Sequence, residues 1–230
     1  MRHTPASPAR RAPRVAALFP AGVAAAELDE TPAPGLLHPQ EEECVTHCAE
    51  KRILDFTAGR LCARRALEEL GISAFPLLTT REGPPLWPTG VIGSITHTDG
   101  YSAAVATRGG ECVGLGLDAE RFAAVGEELW PLICAPAELA RLQRLPVERQ
   151  RADAGLVFAA KESFFKCQFP LAREWIEFGE VEVDVVAAGE FAIRPLRELH
   201  ALTRTGHTFR GTFYFTDALV VAAAVLRAGQ

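Results

Sequence analysis

The sequence predicts an α+β chain made of two similar α+β halves in a pseudo-twofold arrangement, with the active site at their interface. Three observations predict this. Each half contains a long stretch of helical character, and each carries a late pair of strands around a tight turn. In addition, Thr98-Asp99-Gly100-Tyr101-Ser102-Ala103-Ala104-Val105-Ala106 resembles Thr216-Asp217-Ala218-Leu219-Val220-Val221-Ala222-Ala223-Ala224. Two alanine-rich strands also resemble each other by chance, so the repeat is read together with the order of elements. On this reading residues 1–14 form a disordered tail, 15–112 an N-terminal half and 113–230 a C-terminal half. With 230 residues, 48% of them hydrophobic, the chain can build one ordinary domain or two small halves sharing an interface.

The elements follow in order. Arg10, Arg11 and Arg14 precede the apolar Val15-Ala16-Ala17-Leu18-Phe19, an arrangement that mimics an export signal. Pro20 interrupts it and Glu27, Asp29 and Glu30 follow, so a tail and then a first strand are expected. Leu36 to Leu70 reads as a helix. Glu41-Glu42-Glu43 favours its start through the macrodipole, Ile53, Phe56, Leu61 and Leu67 give it an apolar face, and Gly71 ends it. The prolines of Gly83-Pro84-Pro85-Leu86-Trp87-Pro88 impose a rigid loop. Val91–Thr96 and Tyr101–Thr107 read as strands around the turn Thr98-Asp99-Gly100. Val113–Leu117 is a short strand. Pro131 and Pro136 mark a polar connection to a helix over Arg151–Cys167. Val181–Val186 is a strand, and Phe209–Phe215 with Leu219–Leu226 forms a second hairpin.

Composition excludes several classes. A net charge of −5 argues against a nucleic-acid binder, because phosphate backbones require a basic surface. The longest apolar run, Ala218 to Leu226, falls short of the ~20 residues that span a bilayer, so no membrane partner is expected. Six cysteines in a chain of this length fit a reduced, cytoplasmic setting. Cys44, His47 and Cys48 lie close together, but no second Cys/His pair follows at finger-like spacing, and they read as small residues on a helix.

The chemistry sits in two motifs. One is Gly114-Leu115-Gly116-Leu117-Asp118-Ala119-Glu120; the other is Phe158-Ala159-Ala160-Lys161-Glu162-Ser163-Phe164-Phe165-Lys166. On a strand, Asp118 and Glu120 share a face and can share one cation. On a helix, Glu162 and Lys166 share a face, while Lys161 lies about 100° round and can reach another side of the same ligand. Carboxylates in apolar surroundings are costly to desolvate unless compensated, and a hard divalent cation compensates them, with phosphate as partner for the lysines. Taken alone, each motif fits ordinary surface ion pairs better than it fits a catalytic site. Arg52, Arg60 and Arg64 line one side of the first helix as forked phosphate donors or as a solvated face. His97 ends a strand beside the hydroxyls of Thr96 and Thr98.

Gly114-to-Glu120, Lys161-Glu162-x-x-x-Lys166 and Gly93-Ser94-Ile95-Thr96-His97 resemble, in order and spacing, the three signature motifs of the 4′-phosphopantetheinyl transferases of the surfactin/enterobactin-synthetase type. Ala58-Gly59-Arg60, the Gly83–Pro88 loop and Phe19-Pro20 agree as well, and the resemblance runs from about Val15 to Leu226. It implies transfer of the phosphopantetheine arm of coenzyme A to a serine of an apo acyl or peptidyl carrier protein. It implies Asp118, Glu120 and Glu162 as ligands of magnesium, with manganese as the alternative metal. Glu162 would also help deprotonate the serine, Lys166 would stabilise the transferring phosphate or the leaving group, and Lys161 would contact phosphate. Arg52, Arg60, Thr96, His97 and Arg81 would grip coenzyme A. A monomer is expected, since one chain holds both halves. Arg64, Arg65, Phe164 and Phe165 are candidates for the carrier-facing rim. Two other readings stay open on the residues: a different magnesium-dependent phosphoryl-transfer enzyme such as a nuclease, and a non-catalytic scaffold that binds carriers.

Overall fold

Antiparallel pairing divides the chain into two sheets in the computed structural model, which describes residues 14–79, 83–199 and 208–228. The first sheet contains β1 (Ala24–Leu28), β2 (Ile92–Thr98) and β3 (Tyr101–Thr107) in the order β1-β3-β2. The second contains β4 (Cys112–Arg121), β5 (Val181–Ala187), β6 (Glu190–Pro195), β7 (Phe209–Phe215) and β8 (Leu219–Arg227) in the order β4-β8-β7-β6-β5. Among the described residues the α-helices are α1 (Pro39–Glu42), α2 (Glu50–Glu69), α3 (Trp130–Ile133), α4 (Pro136–Leu142) and α5 (Val147–Ala172). None of the described helices is long and apolar enough to cross a membrane.

The α+β class is borne out, and the weak repeat corresponds to a shared plan. A strand is followed by a long helix and then by a hairpin whose last strand returns to pair with the first: β1, α2, β2–β3 and again β4, α5, β7–β8. The repeat aligns Ser94 with Thr212 and Thr96 with Tyr214. The β5–β6 hairpin and the short α3 and α4 belong to the second copy alone.

Several elements differ from the sequence expectation. The single helix expected from Leu36 is broken into α1, a 3-10 turn over Glu43–Val45 and α2. The Thr46 hydroxyl bonds back to the carbonyls of Glu42 and Glu43, a local competition that favours a break. Cys44 therefore lies on a 3-10 turn, and Cys48 beyond it, instead of on a helix. Residues Arg14–Leu18 form a 3-10 turn, and the first strand comes later, at Ala24. The expected tail at 1–13 lies outside the described residues. The second long helix extends in both directions, and Arg173 caps it at φ 53° with its N–H on the Phe169 carbonyl. β6 and the short helices were not foreseen. All six cysteines are free.

Alanine governs the packing. Ala24, Ala26, Ala63, Ala66, Ala104 and Ala106 are buried where α2 lies on the first sheet. A second core lies between the sheets, where Val15, Leu18, Tyr101, Val105, Leu115, Leu117 and Val221 meet. A third lies under α5, around Phe164, Phe191, Ile193 and Val220. The closest approach is between α5 and β4, and glycine permits it. A Cβ on Gly116 would fall on the Ser163 carbonyl oxygen, and one on Gly114 would come within 2.7 Å of the Cys167 carbonyl oxygen.

The sheets meet where β2 runs beside β4. Ser94 and Thr96, two apart on one face of β2, turn their hydroxyls toward the β4 backbone. Ser94 Oγ accepts the Leu117 N–H at 3.0 Å and Thr96 Oγ1 accepts the Ala119 N–H at 3.0 Å. At the repeat-related position, Thr212 donates to the Leu18 carbonyl at 2.7 Å and the Tyr214 hydroxyl lies 3.4 Å from that of Tyr101. Tyr101 donates to Glu27, whose carboxylate also accepts the Arg14 N–H, Arg14 Nε and the Val15 N–H.

Substituting Gly116→Ala places a methyl against backbone that cannot rotate away. We expect a loss of at least about 3 kcal/mol. For a chain of this size that is a fall in melting temperature of roughly 6–12 °C by calorimetry. An unchanged melting temperature would contradict the close α5–β4 approach.

Candidate active site

Asp118 lies at the centre of the seam, buried on β4 at 3% exposure. Its Oδ1 accepts from Thr96 Oγ1 at 3.1 Å and from Lys166 Nζ at 2.5 Å. Its Oδ2 is buried and has no hydrogen-bond partner among the described residues. Glu120 follows on the same strand face, and Glu162 projects from α5 one turn before Lys166. Burial, with Asp118 and Glu162 adding their charge against the relief from Lys166, pushes the Glu120 carboxyl up to about 8. Burial and Asp118 likewise raise Glu162. Burial disfavours the charged Lys166, but Asp118, Glu162 and Glu120 outweigh it and hold that ammonium above its ordinary pKa.

This cluster holds three carboxyl groups, more than Lys166 alone can neutralise once they ionise, and one of its oxygens has no partner among the described residues. Both features suit a hard cation. Among the described residues no three His, Cys, Asp or Glu side chains could hold a metal ion by themselves. A magnesium ion would therefore complete its shell with other oxygens, as it does when it sits on one or two carboxylates and substrate phosphates.

The first half contributes from α2 and the end of β2. Arg52 Nη1 lies 3.2 Å from His97 Nε2. A guanidinium only donates, so Nε2 accepts and the ring proton is on Nδ1, which faces Asp55 Oδ2 at 4.0 Å. Burial lowers the His97 pKa against the pull of Asp55, with Lys166 and Arg52 lowering it further, which agrees with a neutral ring. Thr96 Oγ1 on β2 and Asp118 Oδ1 on β4 meet at 3.1 Å, so side chains of both sheets contribute to one cluster.

Not every expected residue joins it. Lys161 does not: it is buried behind α5, and its ammonium donates to Glu138 Oε2, the Ile133 carbonyl and the Phe178 carbonyl. All three protons are spent, which corrects the expected phosphate contact. Thr96 spends its hydroxyl on Asp118 and the Ala119 N–H, so that hydroxyl orients a carboxylate within the protein. Arg60 is buried over the Phe56 ring at 4.0 Å, and its Nε donates to the Leu77 carbonyl, so part of it anchors a loop. Burial lowers its pKa to about 10, opposed by Glu41. Arg64 is tied to Glu41 and the Leu36 carbonyl, not presented on an open rim. Phe164 belongs to the core. Arg81 lies outside the described residues.

Other residues were missed. Ser94, Asp55, Glu41 and Glu138 all do work at or behind the site. Asp55 had a signal, since it lies three residues after Arg52 on one helical face. Glu138 had none, because its partner lies 23 residues away. Beside Glu162 an apolar recess of about 280 Å³ opens between Phe165, Trp175, Ile176 and Phe178.

Comparison with known proteins agrees with this arrangement. Residues 40–107 match the 4′-phosphopantetheinyl transferase N-terminal domain, and residues 114–224 match the 4′-phosphopantetheinyl transferase superfamily. The chain is 36% identical over 221 residues to the 4′-phosphopantetheinyl transferase Svp of Streptomyces mobaraensis, covering 93% of this chain and 89% of that one. The chain belongs to the 4′-phosphopantetheinyl transferase superfamily. It is also 34% identical over 225 residues to the 4′-phosphopantetheinyl transferase PptT of Mycobacterium tuberculosis, covering 92% of this chain and 97% of the relative. It is 35% identical over 128 residues to enterobactin synthase component D of Escherichia coli O157:H7, covering 52% and 56%. The chain is thus a phosphopantetheinyl transferase, and the cluster at the seam is its candidate site.

Two predictions follow from the site of this transferase. Thr96→Val keeps the shape but leaves the Ala119 N–H and Asp118 short of a partner, at a cost of about 1–3 kcal/mol in denaturant unfolding, and Thr96→Ser restores it. The second concerns pH. A carboxyl whose folded pKa is raised is held protonated more tightly folded than unfolded, so stability falls as pH rises toward about 8. Melts in chelator between pH 5 and about 8 should show this fall, and Glu120→Gln should flatten it.

Proposed function

We propose that this transferase moves the 4′-phosphopantetheine arm of coenzyme A to a serine of an apo acyl or peptidyl carrier protein. The observation that carries the reading is Asp118, with one oxygen on Lys166 and the other buried without a partner among the described residues. In this reading the serine Oγ attacks the phosphorus that bears pantetheine. The new O–P bond forms as the bridging P–O bond breaks, and the electron pair leaves on adenosine 3′,5′-bisphosphate. Glu162 takes the serine proton, a role that suits a carboxyl whose pKa is raised. Lys166 neutralises charge that develops on the transferring phosphoryl group. Asp118, Glu120 and Glu162, which do not close a three-ligand site by themselves, would share magnesium, or manganese in its place, with phosphate oxygens of the substrate, and the metal would supply Lewis-acid neutralisation of the diphosphate. Arg52 and His97, with the outer part of Arg60, face the 3′-phosphate, and the recess at Trp175 takes the pantetheine arm. One chain supplies the whole site, so the enzyme works as a monomer, in a reducing cytoplasm that suits its free thiols.

The test is intact-mass analysis of an apo carrier protein incubated with the enzyme, coenzyme A and magnesium. The carrier gains one phosphopantetheine arm, and the gain disappears with Glu162→Ala or with chelator. Absence of transfer to acyl, aryl and peptidyl carriers alike would overturn the reading.

A further inference from the structure

Lys161 and Glu138 form an ion pair at 2.6 Å in which the two side chains are 1% and 0% exposed. The pair is fully satisfied. Besides Glu138, Lys161 Nζ donates to the Ile133 carbonyl at 2.9 Å and the Phe178 carbonyl at 2.8 Å. Glu138 Oε2 also accepts the Ala135 N–H, and Oε1 accepts the Val183 N–H, each at 2.6 Å. One cluster thus joins the end of α3, the start of α4, α5, the turn at Phe178 and β5. A buried pair of this kind is seldom worth more to stability than apolar side chains of the same volume. What it does supply is direction, because three acceptors around one ammonium fix where that side chain points.

Direction matters at this place because Glu162 is the next residue. Neighbouring helical side chains diverge by about 100°, so a Lys161 locked on the inner side of α5 turns Glu162 outward. Lys166, one helical turn beyond Glu162, is carried round with it and meets Asp118 at 2.5 Å. The Phe178 carbonyl held by Lys161 also fixes a wall of the recess that Glu162 lines. We propose that Lys161 and Glu138 are positioning residues for the transfer, their pair setting the rotation of α5 that presents Glu162 and Lys166 to Asp118. This rests on the site reading given above.

The test compares Lys161→Met, Glu138→Gln and the double variant, which leaves neither charge unpaired, with Glu162→Ala as reference. Coenzyme A affinity is measured by calorimetry, and kcat is measured well below every melting point. Positioning predicts kcat lower on the order of 100-fold in all three variants. It also predicts that any change in coenzyme A affinity is the same in all three variants, and that kcat falls no further in the double variant than in either single one, as for residues that act as a unit. A coenzyme A affinity about tenfold weaker in Lys161→Met alone, with Glu138→Gln unaffected, would instead assign Lys161 to a phosphate and overturn the proposal. So would wild-type kcat in the double variant, which would leave the pair merely structural. Full activity in Glu162→Ala would overturn the site reading itself. Loss there with unchanged kcat at 138 and 161 would sink positioning alone.

Discussion

The hydroxyls of Ser94 and Thr96 hold this molecule together at its functional centre. β4 pairs with β8 along one edge, and its other edge faces β2, where two backbone N–H groups would be buried without acceptors. Side chains from β2 satisfy them, so two sheets that share no continuous ladder still meet in register. Asp118 lies between those two N–H groups in sequence, and one of the same hydroxyls donates to it. The carboxylate is therefore oriented by the contact that joins the sheets, and any slip between them takes the Thr96 hydroxyl away from Asp118.

The approach of α5 has the same economy. Gly114 and Gly116 remove the side chains that would lift the helix from β4, and α5 then brings Glu162 and Lys166 to the seam. The resulting electrostatics are unbalanced, with three carboxylates against one nearby ammonium. Glu120 and Glu162 respond by holding their protons more tightly. A polar site kept in this state gains from a positively charged ligand, which is a form of preorganisation.

The large-scale plan was legible because it rests on local signals. The tight turns at Asp99 and Asp217 and the alternation of apolar stretches placed both hairpins, and the spacing of Asp118 with Glu120 and of Glu162 with Lys166 placed the charged cluster. What could not be read was the use of a side chain by distant backbone. Lys161 beside Glu162 looks like a second cation for the same ligand, and only the fold brings Glu138, Ile133 and Phe178 to it. Thr96 looks like a ligand contact for the same reason. Glu41 is a helix-start acid, since it accepts the His38 N–H at the start of α1, but it also accepts the distant Leu77 N–H, and nothing in the local sequence announced that second use or the break before α2.

The same plan occurs twice, so the chain has two seams of related design. At the second, the place of Thr96 is taken by Tyr214, and the nearby acid is Glu27. That carboxylate accepts bonds from Tyr101 and from the first two described residues, Arg14 and Val15. The short turn that follows fills the space beneath it with Val15 and Leu18. A duplicated architecture has thus been made functionally asymmetric by a plug. Among the described residues one seam leaves an Asp118 oxygen without a partner, whereas at the other both Glu27 oxygens are spent, so the two seams differ in what they can still bind despite their shared plan.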